Sequence, residues 1–460
     1  MTEPESVPHD SEAPAPGDGA EPDGPFSRAY TNYVLVMVLL VMIFNNMDRT
    51  VLSILVEPIK DEFDLTDTEM GAVMGLAFTL VYTFTALPVA RLADYRTRRS
   101  IVAVGLFVWS AFTAATAAVQ NFVQLFLMRM GVGIGEAAGT APSVSLLSDY
   151  VPPSRRGRGV SVVSIGAVTG MGLGMILGGT VNELYGWRMA FVAAGVPGMF
   201  LALVLRLTVR EPARGASEKG RSVEGESVAE VVRYLLGNRT YLLILTANAF
   251  ALFAAMGRNL WEPTFLVRTY EMGTASAGIW YFVTSPVPSI LGIYLGGFFA
   301  DRFGVRDGRW YFFVPAIGQV ISVPILIAFL LWPADDVFAM PAFVAASGIE
   351  VVPVAFVLSF IGSVFGSFFT APFIATIQGV SKLRMRAMAA ALSTMVSSFV
   401  GLAAGPLLVG VLSDHFTAEY GADALRYSLL VPTAAPLLSA LVCVLGASAV
   451  AADLDRAKRS

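Results

Sequence analysis

Ala90-Arg91-Leu92-Ala93-Asp94-Tyr95-Arg96-Thr97-Arg98-Arg99 and, 207 positions later, Gly297-Phe298-Phe299-Ala300-Asp301-Arg302-Phe303-Gly304-Val305-Arg306 share one pattern, small-x-x-Ala-Asp-x-x-x-x-Arg. Each copy follows one long apolar stretch and precedes another. A second correspondence places Arg158 and Arg386 just before two further apolar stretches. A charged segment repeated at the same point of two apolar halves describes an internal duplication, the signature of a carrier that rocks one half against the other. Basic residues in such loops also serve as topology signals. The aligned aspartates do not, because acids contribute little to topology.

On either side of the repeat the chain is apolar: 55% of its 460 residues are hydrophobic and only 14% are charged, where soluble domains run nearer a quarter. The apolar residues fall in blocks of about 20, long enough to cross ~30 Å of hydrocarbon as helices. Spans are expected near 33–56, 70–90, 100–119, 122–147, 159–182, 188–207, 241–267, 275–300, 310–331, 351–378, 387–412 and 427–452. Prolines inside several of them are compatible with bundled helices, where neighbours satisfy the freed carbonyls. The fold class is therefore an all-α membrane protein of twelve transmembrane helices in two pseudo-symmetric six-helix bundles, 33–207 and 241–454. The acidic, proline-rich segment 1–32 reads as a disordered tail and is unlike a signal peptide. Residues 208–240 form a cytoplasmic linker in which 227–238 has the pattern of an amphipathic helix on the inner leaflet, and 455–460 are a short tail.

With the N-terminus inside, 24 Lys and Arg fall in inner loops and termini, four (Lys60, Arg188, Arg268, Arg426) outside and three within spans. That asymmetry places both termini in the cytoplasm and the protein in the cell (inner) membrane. The single cysteine, Cys443, excludes an intramolecular disulfide, and two histidines exclude a histidine metal cage. No cofactor is expected, and nothing points to nucleic acid. Compact loops suit a monomer.

Gly131, Gly135 and Gly139 share a helical face, as do Gly170, Gly174 and Gly178; with Gly401 and Gly405 they read as packing stripes. The run Gly131-Val132-Gly133-Ile134-Gly135 follows no strand, so it is no nucleotide loop.

Five ionisable residues sit inside apolar spans: Asp48, Arg49, Arg129, Glu136 and Arg258. Each costs roughly 2.5–3.5 kcal/mol at a helix centre and is a functional candidate for that reason. At about 1.5 Å per residue, Asp48, Arg49 and Arg129 come out nearly level, with Glu136 about two turns deeper on the face of Arg129. The four charges of the first half sum to zero. Asp48 is expected to pair with Arg129, and Arg49 to reach down to Glu136. Protonating either acid would leave an uncompensated arginine, which couples proton binding to conformation or to an anionic substrate. In the second half Arg258, Asn248 and Asn259 on the seventh span, and Ser367, Phe369, Thr370 and Phe373 on the tenth, are candidates to line a cavity with Asn45. Glu262 is expected at the interface. A cavity charged on one side and aromatic on the other suits a cargo with a polar head and an apolar body.

The loop pattern resembles that of the major facilitator superfamily, usually G-x-x-x-D-R-x-G-R-R. The second copy matches at Gly297, Asp301, Arg302, Gly304 and Arg306; the first departs at Ala90, Tyr95 and Thr97. The resemblance covers 33–454. It implies a cytoplasmic gate in which Asp94 faces a helix N-terminus of the other half and Arg98 pairs with Asp149, with Arg158, Asp301, Arg302 and Arg306 alongside. Asn45-Asn46-Met47-Asp48-Arg49 and Arg129-Met130-Gly131-Val132-Gly133-Ile134-Gly135-Glu136 are similar to the spinster branch. That likeness implies Asp48 and Glu136 as proton-linked acids, Arg49 and Arg129 as their partners or anion binders, and lysophospholipid or sphingosine-phosphate-like cargo. An Asp-Arg pair in the first span also occurs in organic-anion/proton symporters of the superfamily. An enzyme would need a nucleophile–base or metal constellation that the sequence lacks, and a channel would leave the duplicated gate loops unexplained.

Overall fold

A computed structural model describes residues 26–151, 156–213, 228–339, 351–382 and 385–459. They are overwhelmingly helical; the sheet among them is one antiparallel pair, Val337–Ala339 with Val351–Pro353. Ten helical stretches among the described residues are long and apolar enough to cross a bilayer. Two features make this consistent with twelve crossings. The stretch Met388–Val450 doubles back at Gly421, whose φ of 54° suits a residue without a Cβ, and so holds two spans. The fourth expected span is split into Phe122–Glu136 and Thr140–Tyr150, each too short to qualify. The tenth is split in the same way, into Val354–Gly366 and Thr370–Val380. The duplication seen in the loops thus recurs in the backbone.

Each half has its own core. In the first, Val34, Met42, Trp109 and Leu146 pack together; in the second, Ile244, Phe312, Phe373 and Cys443 do. A third cluster is shared: Leu55, Ile59, Met70 and Trp187 from the first half close on Trp261, Phe265, Tyr281 and Leu425 from the second. It lies at the end opposite the 91–99 and 302–309 loops, here called the far end; the loops mark the basic end. Without a hydrophobic drive between helices in lipid, such contacts depend on close backbone approach. Gly71 and Gly410 supply it, facing the carbonyls of Pro406 and Asp67 respectively. Six-residue π-helical turns at Ala72–Ala77 in the second span and Phe399–Ala404 in the eleventh touch along the same seam. The glycine face of the fifth span packs on the first, Gly170 against Ile43 and Asn46 and Gly178 against Val51 and Ile54.

Polar contacts stitch the far end. Arg268 donates to Glu57 Oε1 from Nε at 3.0 Å and from Nη2 at 2.7 Å, and to both oxygens of Asp67 at 2.8 Å. Lys60 and the Ser413 hydroxyl also donate to Asp67. The Asp414 carboxylate accepts the main-chain N–H groups of Asp67 (2.9 Å) and Thr68 (2.8 Å), so an acid of the eleventh span satisfies the free helix N-terminus of the second. Between the fifth and eighth spans, Thr274 donates to the Gly179 carbonyl and Glu183 accepts from Ala275 N–H, each at 2.9 Å.

Two boundaries differ from expectation. The first helix starts at Arg28, so residues 26–32 are ordered: Phe26 and Tyr30 pack on Tyr150, and the Tyr30 hydroxyl donates to the Thr208 carbonyl at 2.9 Å. Three aromatic rings hold this segment against the first half. The stretch before it, 1–25, lies outside the described residues, as does 214–227 of the linker. The linker helix, Val228–Gly237, leaves Leu236 exposed and packs on the second half through Val231 and Leu235, which are buried in its core. Their spacing of four residues puts both on the face that meets the bundle.

Candidate functional site

The first and fourth spans run antiparallel, and helical side chains lean toward their own N-terminus. Arg49 therefore leans toward the basic end and Glu136 toward the far end, and the two converge. Arg49 Nε donates to Glu136 Oε2 at 2.5 Å, and its guanidinium lies over the rings of Phe78 (4.8 Å) and Tyr82 (5.5 Å). Glu136 is fully buried at the last turn before the break in the fourth span, where Gly139 N–H returns to its carbonyl at 2.9 Å.

The same geometry corrects the other expected pair. Asp48 leans toward the basic end while Arg129 leans toward the far end, so they diverge. Arg129 Nη1 donates to the main-chain carbonyl of Asp48 at 3.1 Å instead of to its carboxylate. Asp48 is fully buried, with the Thr113 hydroxyl beside its carboxylate in geometry short of a closed hydrogen bond, and Asn45 Nδ2 stands in the same way beside the Glu136 carboxylate. The cluster is one tight pair, Arg49–Glu136, beside a buried carboxyl and a second guanidinium that do not neutralise each other directly. Glu136→Lys would set three cations against one acid. It is expected to cost roughly 3–5 kcal/mol as a broken buried pair does, whereas Glu136→Gln keeps a hydrogen-bond acceptor for Arg49 and loses less. Thermal melts and transport assays of the two variants check this, and equal behaviour would count against the pairing.

In the second half a cavity of about 280 Å³ opens among the seventh, eighth, ninth, tenth and twelfth spans, with Val168 and Met171 closing it from the first half. Of the expected lining residues, Arg258, Asn259, Ser367, Phe369 and Thr370 are there. The others are placed elsewhere. Phe373 packs against Phe312 and Phe369 in the core, Asn248 donates to Ser397 Oγ at 2.9 Å, and Asn45 stays with the first-half cluster near Gly139. Ser285, Ser289, Gln319, Ser322 and Thr433 line the cavity and escaped the sequence reading, since isolated hydroxyls and one amide in apolar helices do not stand out. Glu262 is not interfacial. It is fully buried, faces Arg258 Nη1 at 3.4 Å and accepts from Ser359 Oγ at 3.1 Å. Its i,i+4 spacing from Arg258, matched by Ser359 and Ser363 on the tenth span, was the available signal.

At the basic end, Arg98 donates from Nη1 to Asp149 at 2.5 Å and from Nε to Glu211 at 2.9 Å. Glu211, at the start of the linker, also accepts Arg99 N–H at 2.8 Å and was not singled out in the sequence. Asp301 accepts the Tyr311 hydroxyl at 2.9 Å within the second half, and Arg302 and Arg306 are exposed on the same loop. The side chains of Asp94 and Arg158 lie outside those described.

Two bundles related by duplication, sealed at one end and holding charges and a cavity between broken helices, define a carrier. The chain belongs to the Major Facilitator Superfamily, whose pattern matches residues 38–349; it is a multi-pass membrane transporter acting on a small-molecule substrate. It is 31% identical to an MFS-type efflux pump of Mycolicibacterium smegmatis over 94% of this chain and 95% of that protein. Its resemblance to the spinster branch is seen in Protein spinster homolog 1 of Xenopus tropicalis, 28% identical over 84% of this chain and 74% of that one. In three dimensions it is similar to a bacterial homolog of the human lysosomal transporter Spinster in an inward-facing, unoccupied conformation. The TM-score is 0.80 at 24% identity, covering 93% of this chain and 99% of that one, a likeness of fold.

Proposed function

We propose that this transporter moves an amphipathic anion, such as a lysophospholipid or a sphingosine-phosphate-like lipid, by proton-coupled alternating access in the cell membrane with both termini cytoplasmic. The observation that carries the reading is the Asp48 carboxyl, fully buried and in no close ion pair among the described residues, with the Thr113 hydroxyl, Arg129 and the Arg49–Glu136 pair around it. An ionised carboxylate in that setting costs far more to bury than a protonated one. Gaining or losing that proton alters the balance felt by Arg129 and Glu136, and so favours one packing of the halves over the other. The sealed far end supports an inward-facing state, with the cavity addressed from the cytoplasm. Arg98, Asp149 and Glu211, with Asp94, Arg158, Asp301, Arg302 and Arg306, form the cytoplasmic gate that closes in the opposite state.

Purified protein in liposomes with an imposed pH gradient is expected to accumulate a lysophospholipid against its concentration, and counterflow is expected to speed exchange. Accumulation of small organic anions alone would replace the lipid by a compact cargo. Flux indifferent to the gradient would remove the coupling.

A further inference from the structure

The geometry points to an anion subsite in the second half, in which Arg258 receives the oxyanion of the cargo and Glu262 takes up the compensating proton. The inference rests on the amphipathic-anion reading above and adds where the head group sits and what balances its charge.

Arg258 is 8% exposed and faces the cavity, yet its contacts are long. Nη1 lies 3.4 Å from Glu262 without a hydrogen bond, and Nη2 reaches Asn259 Oδ1 at 3.5 Å and Ser363 Oγ at 3.4 Å. Arg49, Arg98 and Arg268, by contrast, hold their acids at 2.5–3.0 Å in geometry that closes hydrogen bonds. A guanidinium has five donors in a planar fork suited to two oxygens of a carboxylate or phosphate. Here that fork is largely unfilled. Gln319 Oε1 and Thr433 Oγ1, on the wall of the same cavity, are also buried without partners. They offer an acceptor and a hydroxyl to a hydroxylated or phosphate-ester head. Leu252, Ile290, Ile293 and Leu326 give the wall an apolar portion that suits a short length of alkyl chain.

Empty, the site is neutral, Arg258 against Glu262. An arriving anion would leave one net negative charge buried unless a proton enters with it. Glu262 is the acid placed to accept it. Around it stand Arg258 on its own helix, Tyr281 from the eighth span, Ser359 from the tenth and, toward the far end, Tyr270, with Arg426 acting on Tyr270. Protonation of Glu262 keeps the charge at zero and frees the guanidinium fork for the anion.

The test is calorimetric titration of the purified full-length protein with hexyl phosphate, in buffers of different ionisation enthalpy. Hexanoate, hexan-1-ol and inorganic phosphate are the comparison arms. Hexanoate, a monoanion, is expected to bind with uptake of about one proton, and hexyl phosphate, which carries about −1.5 to −2 charges at neutral pH, with uptake of between one and about two, the excess residing on the phosphate itself. Hexan-1-ol and inorganic phosphate are expected to bind at least about tenfold more weakly. Tight binding of inorganic phosphate alone would overturn the amphipathic site in favour of a free-phosphate site. Arg258→Gln is expected to lose binding by about tenfold or more. Because that variant strands Glu262, the neutral double variant Arg258→Gln with Glu262→Gln serves as a folded control that also fails to bind. Glu262→Gln alone is expected to bind hexanoate at least as tightly as the parent, without proton uptake. Unchanged binding in the double variant, or unchanged proton uptake in Glu262→Gln, would overturn the proposal. Asp48→Asn should keep both binding and uptake here, so failure of this subsite and failure of coupling at Asp48 are read separately.

Discussion

Asp48→Asn is expected to abolish uphill, gradient-driven accumulation while leaving counterflow largely intact. Asparagine has nearly the shape of aspartic acid and keeps a permanently neutral side chain, so the packing around Asp48 survives. The Arg129 contact survives too, because it is made to the main-chain carbonyl. What is lost is the ability to alternate between a neutral and a charged side chain in a site fully closed to water. Steady-state accumulation should fall toward the equilibrium ratio, a loss of about tenfold or more for a driving force worth 1.4 kcal/mol or above. Exchange at equal concentrations on both sides needs no net proton movement and should persist. The measurement is paired uptake and counterflow in the same liposomes; uphill uptake by the variant with an undiminished pH response would end the role proposed for Asp48.

Arg268→Ala is expected to unseal the far end. Arg268 joins two acids of the first half, Glu57 and Asp67, from the end of the seventh span of the second half. Removing it leaves, among the described residues, Asp67 paired with Lys60 and Glu57 with no ion pair. The pair is only partly buried, so the effect lies below the roughly 3–5 kcal/mol of a fully buried break, yet above the ~1 kcal/mol of an exposed one. Thr264, buried where its hydroxyl meets the Ser53 carbonyl across the seam, is a reporter. In a Cys443→Ala background, Thr264→Cys should react slowly with a membrane-impermeant maleimide. Adding Arg268→Ala should raise the rate about tenfold, the equivalent of 1.4 kcal/mol in the opening equilibrium. Arg268→Lys should fall between, because a single ammonium cannot bridge both acids as the planar fork does. An unchanged labelling rate in Arg268→Ala would show that the apolar cluster and the Asp414 cap seal this end without it.

Much of the architecture could be read from residue order. Apolar blocks placed the helices, the Asp94 and Asp301 segments disclosed the duplication, and charges in the first, fourth and seventh spans marked the candidate sites. These signals are strong because a bilayer penalises every exception, so each surviving charge stands out. The partnerships were harder. Level positions along two helices suggested Asp48 with Arg129, but depth says nothing about the lean of a side chain. Antiparallel helices send Asp48 and Arg129 apart and bring Arg49 and Glu136 together. Glu262, read as interfacial from its place in the span, turned out to be enclosed because a serine-bearing face of the tenth span covers it.

The apolar blocks, then, suffice for an all-helical membrane fold and for the presence of buried charges within it, since these follow from local transfer free energies summed along the chain. Which acid has a counter-ion, which arginine faces an empty cavity, and which end of the carrier is shut depend on how distant helices cross and rotate. Those choices are made by backbone approach at residues such as Gly71, Gly410 and Gly170, hundreds of positions from some of the charges they orient, and no nearest-neighbour rule carries them.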